Sequence, residues 1–216
     1  MHYRLIPNSF HFENLSLFNT SYRGLHMKNN TYENDVRILG GKFKGKLLPV
    51  LDVEGLRPTP SRVREIIFSW IKDSLGNAKV LDLFAGSGAL GLEAYSRGAK
   101  DVTLVELDKD NSSNLKVIAK SMSYDEIHVI NEDALHFLEN VSSTFNIVFI
   151  DPPYKLDIYE KVLEKLLDKN LIDEDSLIYV EMRNGSNKIV PGYEIIREEN
   201  AGQSKYSLWT KSKLLF

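Results

Sequence analysis

Asp82-Leu-Phe-Ala-Gly-Ser-Gly-Ala-Leu-Gly91 decides the reading of this chain. It follows the short apolar run Lys79-Val-Leu and leads into Leu92-Glu-Ala-Tyr-Ser-Arg-Gly98. That order reads as strand, tight glycine turn, helix. Gly86, Gly88 and Gly91 have the G-x-G-x-x-G spacing. Glycine lacks a Cβ and takes positive φ, so a ligand can lie against such a turn. The helix that follows aims its free N–H groups and the positive end of its dipole at the same point. Glu106 closes the next apolar run, Val102-Thr-Leu-Val-Glu-Leu107, twenty residues after Gly86. An acid at that distance receives ribose hydroxyls. The spacing alone admits a nicotinamide or flavin dinucleotide, S-adenosylmethionine (AdoMet), or an ordinary βα turn that binds nothing.

From residue 79 the pattern alternates regularly. Strands are predicted at 79–84, 101–107, 127–131, 145–150, 176–182, 193–197 and 205–210, and helices at 89–97, 109–121, 133–140 and 157–168. Alternating elements with continuous apolar strands imply a parallel sheet covered on both faces. Tyr193-Glu-Ile-Ile-Arg197 and Tyr206-Ser-Leu-Trp209 alternate with period two, as antiparallel strands do. The expected fold is therefore α/β and Rossmann-like: seven strands, mostly parallel, an antiparallel C-terminal strand pair, and a small N-terminal β-hairpin. A parallel sheet that ends in an antiparallel pair is the architecture of AdoMet-dependent methyltransferases. Four acids lie at or just after strand ends: Asp82, Glu106, Asp133 and Asp151. In open α/β sheets, ligands sit beyond those ends. Four carboxylates repel a pyrophosphate and attract a sulfonium, an ammonium and ribose hydroxyls, which favours AdoMet over a dinucleotide.

The 216 residues suffice for one α/β domain with a small appendage. The chain contains no cysteine, which excludes disulfides, a thiolate nucleophile and a Cys-based zinc site. This fits a reducing compartment, and a cytoplasmic location is expected. The five histidines show no ligand spacing, so no metal is expected. No apolar run reaches the length of a membrane span, and no membrane partner is expected. A net charge of −3 hides a local excess: Arg37, Lys42, Lys44, Lys46, Arg57, Arg62 and Arg64 are opposed between 37 and 64 only by Asp52 and Glu54. A basic stripe on an acidic body steers a polyanion toward one surface.

Three segments follow in order: 1–34, an extension expected to be disordered; 35–60, a basic hairpin and loop; and 61–216, the main domain. Met27 is a candidate start, with an upstream extension before it. Val36 to Val50 reads as a hairpin, with two apolar runs flanking a Gly- and Lys-rich turn. Lys42, Lys44 and Lys46 alternate, so a strand would set them on one face with Phe43 on the other. Pro58 and Pro60 make Gly55–Pro60 a rigid loop. Ser61 is the expected N-cap of an amphipathic helix over 62–71, with Val63, Ile66, Ile67, Trp70 and Ile71 on its apolar stripe.

Asp151-Pro-Pro-Tyr154 follows the buried run Phe145–Ile150. The prolines stiffen the turn and carry no N–H to compete for its carbonyls. An exocyclic amine on a base is a poor nucleophile, because its lone pair is delocalised into the ring. A carboxylate and a neighbouring carbonyl that accept its two N–H bonds localise that pair and orient it toward a methyl donor. Tyr154 can stack on the flat base.

Asp151-Pro-Pro-Tyr154 resembles motif IV of the methyltransferases that act on exocyclic nitrogens, and Asp82–Gly91 resembles their motif I. The closer resemblance is to the RsmD-type family, which methylates a guanine N2 of 16S ribosomal RNA. It is carried also by Arg37-Ile-Leu-Gly-Gly-Lys-Phe-Lys-Gly45, Gly55-Leu-Arg-Pro-Thr-Pro-Ser-Arg-Val-Arg-Glu-Ile-Ile-Phe68, Tyr179-Val-Glu-Met182 and Gly202-Gln-Ser-Lys-Tyr-Ser-Leu-Trp209. Residues 1–34 have no counterpart in it.

The resemblance implies that Asp82, Phe84, Gly86 and Gly88 hold the methionine end of AdoMet, Glu106 the ribose, and Asp133 with Ala134 the adenine. Asp151, Pro152, Pro153 and Tyr154 would hold the guanine. Arg37, Lys42, Lys44, Lys46, Arg57, Thr59, Arg62 and Arg64 would contact the RNA. The implied partner is 16S ribosomal RNA or the small subunit, met by a monomer, with the base flipped out of folded RNA. Two alternatives stay open: another amine substrate (a DNA or tRNA base, or a protein glutamine), and a nonenzymatic RNA-binding protein that keeps the fold. Glutamine enzymes carry Asn where this chain has Asp151.

Overall fold

The computed structural model describes residues 35–51, 58–123, 125–153, 155–185 and 189–213. The predicted 1–34 extension, Arg57 and Tyr154 lie outside the described residues. The elements are β1 (Val36–Arg37), β2 (Leu47–Leu48), α1 (Ser61–Trp70), β3 (Lys79–Asp82), α2 (Ala89–Ser96), β4 (Asp101–Glu106) and α3 (Lys109–Lys120). There follow β5 (Ile127–Asn131), α4 (Ala134–Asn140), β6 (Ile147–Ile150), α5 (Tyr159–Asp168), β7 (Leu177–Arg183), β8 (Tyr193–Ala201) and β9 (Ser204–Lys211).

The long strands form one seven-stranded sheet in the order β5-β4-β3-β6-β7-β9-β8. The first five are parallel, and β9 runs antiparallel to both β7 and β8. β6 shows why: Ile147, Val148, Phe149 and Ile150 are all buried, as a central strand covered on both faces requires. One core cluster joins Val80, Leu104, Ile147 and Phe149 to α1, α2 and α3. The other joins Leu81, Val148 and Ile150 to α4 and α5. The chain leaves β3 for β4 and β5, then returns to β6 on the other side of β3. That reversal is the switch point, where the crevice for a ligand opens. Among the described residues, no helix is long and apolar enough to cross a membrane.

The hairpin differs from its predicted form. Its ladder pairs only Val36 with Leu48 and Arg37 with Leu47. Residues 42–45 form a turn, so Lys42 and Lys44 do not share a strand face with Lys46. The reason is docking. Lys42 N donates to the Ser96 carbonyl at 2.7 Å, Phe43 N to Ser96 Oγ at 2.9 Å, and Ser96 Oγ to the Gly40 carbonyl at 2.5 Å. Gly41 allows this approach: it sits at φ 78°, and a Cβ there would lie 1.8 Å from the Ser96 carbonyl oxygen. A two-residue ladder does not hold itself in water. Val36, Ile38, Leu48 and Val50 are buried in the α1–α2 core, and such burial contributes about 1.5–3 kcal/mol for a large aliphatic side chain.

α1 starts one residue early. Pro60 occupies the N-cap position with no side-chain cap, and Ser61 is the first helical residue. Its hydroxyl instead accepts from Arg64 Nη2 at 3.3 Å. Arg64 corrects a further expectation. It is 2% exposed, and its guanidinium meets Glu93 Oε2 at 2.6 Å, with Glu93 fully buried. It also donates to the Thr59 carbonyl at 3.2 Å and, through both Nη atoms, to the Arg37 carbonyl at 3.1 Å. Arg97 takes the other Glu93 oxygen at 2.9 and 2.6 Å. Arg64 therefore ties α1, α2 and the hairpin together and is not available to grip an RNA phosphate.

Candidate active site

The loop after β3 keeps register with both neighbours: Leu83 N donates to the Phe149 carbonyl at 3.1 Å, and Ala85 N to the Val105 carbonyl at 2.9 Å. Gly88 then caps α2 from the left-handed region, at φ 74°. Asp82, 2% exposed at the end of β3, accepts from Gly91 N through Oδ2 at 2.9 Å. Gly91 leaves no room for a side chain: a Cβ would stand 2.2 Å from Leu104 Cδ2 and 3.1 Å from the Asp82 carboxylate. The helix thus rests directly on the strands, and the acid is tied to its first turn. Phe84 is half-buried against the α4–α5 core.

Glu106 ends β4 and clamps the glycine turn. Its Oε2 accepts from Gly86 N at 2.9 Å and its Oε1 from Asp108 N at 2.7 Å. Asn111, on α3, donates to the Gly86 carbonyl at 2.5 Å, while its own buried Oδ1 has no hydrogen-bond partner among the described residues. Asp133 precedes α4 and caps it, with Oδ1 accepting from Leu135 N and His136 N at 2.9 and 3.0 Å. Ala134 is buried in the core beneath.

Asp151 follows β6, half-buried. Thr59 Oγ1 donates to its Oδ2 at 3.4 Å. Thr59 is itself buried, so it belongs beside this carboxylate and not on an exposed RNA-gripping surface, which corrects the sequence expectation. The register that sets Ile150 opposite Val180 places Glu181 alongside Asp151. Glu181 is buried and accepts from the Tyr179 hydroxyl at 2.9 Å. Pro152 is buried and Pro153 exposed, and the Pro153 carbonyl accepts from Leu156 N at 2.8 Å. The Pro153 carbonyl is therefore engaged in its own turn.

Four acids, Asp82, Glu106, Asp151 and Glu181, so converge on the carboxyl edge around the switch point. Crowding acids out of water has a cost that shows in the proton affinities of Asp82, Glu106 and Asp151. Burial, then the nearby Glu106 charge, pushes Asp82 up to about 7. Burial also raises Glu106, against hydrogen bonds from Asp108 and Gly86 that lower it. Asp151 is raised well above the carboxylate range by burial, then by Glu181 and Asp82, while the Thr59 hydroxyl pulls it down. Such a cluster is completed by a ligand that brings positive charge and N–H or O–H donors.

The RNA-facing expectations divide. Arg37, Lys42, Lys44 and Arg62 are exposed, and Lys46 is half-buried beside the turn. Arg37 Nη1 donates to the Gly45 carbonyl at 3.1 Å, and Lys42 Nζ lies 5.3 Å from the Phe43 ring centre. Sequence reasoning missed Glu181, Glu93 and Asn111. Glu181 could have been found as a further acid at a strand's carboxyl end, and Glu93 from its i, i+4 spacing to Arg97. Nothing in the local sequence marks Asn111.

The family model described as Conserved hypothetical protein 95 matches residues 36–210. "Ribosomal RNA small subunit methyltransferase D" of Escherichia coli K12 is 40% identical over 185 residues, covering 85% of this chain and 93% of that protein. The protein of the same name from Haemophilus influenzae is 38% identical over 182 residues, covering 82% and 94%. Among solved structures, a putative methyltransferase, yhhF, from Escherichia coli superposes with a TM-score of 0.75 at 39% identity, covering 82% of this chain and 98% of that one.

Proposed function

Because this chain belongs to the RsmD-type family, described as Conserved hypothetical protein 95, we propose that it transfers a methyl group from AdoMet to the exocyclic N2 of a guanine in 16S ribosomal RNA. The observation that carries this reading is the ring of buried and half-buried acids at the switch point, with burial pushing Asp82 up to about 7. When bound there, AdoMet supplies an electrophilic methyl on a positively charged sulfur. The residues fit it. Asp82, stripped of water and tied to Gly91, is placed to take the ammonium of the methionine end. Glu106 already orders the glycine turn and has lone pairs left for ribose hydroxyls. Asp133, spending Oδ1 on its helix, keeps Oδ2 for the adenine edge.

Asp151 and the Pro152 carbonyl receive the guanine amine. By accepting its two N–H bonds they restore the lone pair to nitrogen and aim it. As that pair forms the new N–C bond, the donor's methyl–sulfur bond would break to leave a neutral thioether, and the N–H proton made acidic by methylation would pass to Asp151 and from there to solvent. Burial, then the neighbouring Glu181 and Asp82, raises the proton affinity of Asp151, which makes it a stronger proton acceptor than an exposed carboxylate. The exposed turn carrying Lys42 and Lys44, with Arg37 and Arg62, is the surface offered to RNA phosphates.

The test pairs labelled AdoMet with 16S RNA or small subunits and maps the methylated nucleoside. Asp151→Ala is expected to abolish transfer while AdoMet affinity stays within a few-fold. Near-normal turnover in that variant, or a product other than N2-methylguanine, rejects the assignment.

A further inference from the structure

We propose that Thr59, braced by the buried Arg64–Glu93 pair, is a positioning residue for Asp151, its hydroxyl fixing which carboxylate oxygen faces the nucleobase amine. The inference rests on the reading of Asp151 as the amine's acceptor. It begins with the loop. Thr59 stands between Pro58 and Pro60, whose rings fix their own φ and restrict the residues before them. Thr59 is buried, its carbonyl accepts from Arg64 Nε at 3.2 Å, and its hydroxyl points at Asp151 Oδ2.

Arg64 in turn is anchored on Glu93 Oε2 at 2.6 Å. Glu93 lies on α2, two residues beyond Gly91, whose N–H is taken by Asp82. One helix thus sets both carboxylates: Asp82 directly from its first turn, and Asp151 through Glu93, Arg64 and Thr59. The 3.4 Å separation of Thr59 and Asp151 is long for a hydroxyl and a carboxylate. Catalytic hydrogen bonds commonly shorten when substrate closes the site. With Oδ2 held by Thr59, Oδ1 is left for the amine.

The groups around Asp151 give the inference a signature that a purely structural role lacks. From β3 and β7 it faces Asp82 and Glu181, both acids, and the neutral Tyr179 hydroxyl is bound to Glu181. These carboxylates oppose its ionisation. The Thr59 hydroxyl favours it. Removing that hydroxyl therefore moves the acid limb of the rate profile to higher pH.

The experiment compares wild type, Thr59→Val and Thr59→Ser, measuring kcat against pH with saturating AdoMet and 16S RNA, AdoMet Kd, RNA KM and melting temperature. Valine keeps the shape and loses the donor, while serine keeps the donor. For Thr59→Val we expect kcat at pH 7 to fall about ten-fold and the acid limb to rise by roughly half to one pH unit. AdoMet Kd should be unchanged, and serine should restore both kcat and the limb. An unmoved acid limb in the valine variant overturns the proposal. That holds whether kcat is normal, RNA KM alone rises, or only the melting temperature falls. Asp151→Ala run alongside separates the two failures, since turnover in that variant sinks the reading of Asp151 itself.

Discussion

Replacing Arg64 distinguishes a structural brace from an RNA contact, because the two roles give opposite results. Arg64→Met keeps the aliphatic stem and removes the guanidinium. What remains is Glu93, fully buried, and two carbonyls, those of Arg37 and Thr59, that lose their donors. Breaking a buried pair by removing one partner costs about 3–5 kcal/mol. Arg97 still holds Glu93 Oε1 through two N–H groups, which argues for the lower end, about 3 kcal/mol. In a chain of this size each kcal/mol shifts the melting temperature by roughly 2–4 °C, so a drop of about 6–12 °C is expected. Urea unfolding should show a lower midpoint with an unchanged slope. The double variant Arg64→Met/Glu93→Leu removes the stranded carboxylate and should recover part of the loss. Arg62→Ala, two residues away and exposed, should lie within about 0.5 kcal/mol of the parent. If Arg64→Met melts within 2 °C of wild type and loses RNA affinity selectively, the brace is refuted and Arg64 returns to the RNA-binding surface.

Two further predictions follow from the charges. Asp82 is raised to about 7, and AdoMet's ammonium requires it ionised; hence AdoMet Kd should weaken by up to ten-fold for each pH unit below about 7 and be flat above it. A raised acid stabilises the free protein below its unfolded value, near 3.9, and that contribution is lost as pH rises through about 7, so AdoMet should protect most above neutrality. A Kd that is constant from pH 5.5 to 8.5 removes Asp82 from the ammonium site. Lys42, Lys44 and Lys46 changed together to Ala should lower the slope of log affinity against log salt by about 2, with little change in melting temperature. An unchanged slope reduces that turn to a solvated loop.

The sheet was legible because its signal is local and periodic. Apolar runs such as Ile147–Ile150 and the glycine turn need no tertiary knowledge, and the predicted long strands lie within a few residues of their observed bounds. The acids at strand ends were legible for the same reason: topology alone puts Asp82, Glu106 and Asp151 on one edge. What failed was the sorting of basic residues. Arg62 and Arg64 look alike in sequence and sit on the same helix, but one is exposed and the other 2% exposed. The difference lies in Glu93, twenty-nine residues away, a partner that no local pattern names. The hairpin lysines failed similarly. Alternation implied a strand face, but docking of Gly41 and Phe43 on Ser96 turned the segment into a loop.

The position of that partner carries a consequence for how the two substrates are held. Glu93 and Ser96 lie on α2, and each takes a different part of the N-terminal segment: Glu93 holds Arg64, and Ser96 holds the hairpin turn. The first turn of the same helix holds Asp82. The proposed RNA surface, the loop behind Asp151 and the acid proposed for the methyl donor are thus referenced to one rigid element about eight residues long. Methyl transfer needs nitrogen, methyl and sulfur in line, and small misplacements are costly. A shared reference sets that alignment before either substrate arrives, so binding energy need not be spent on ordering the frame. It also explains why an arginine in a basic stripe is buried here: its charge is used to join the frame, and the proposed RNA contacts fall to its exposed neighbours.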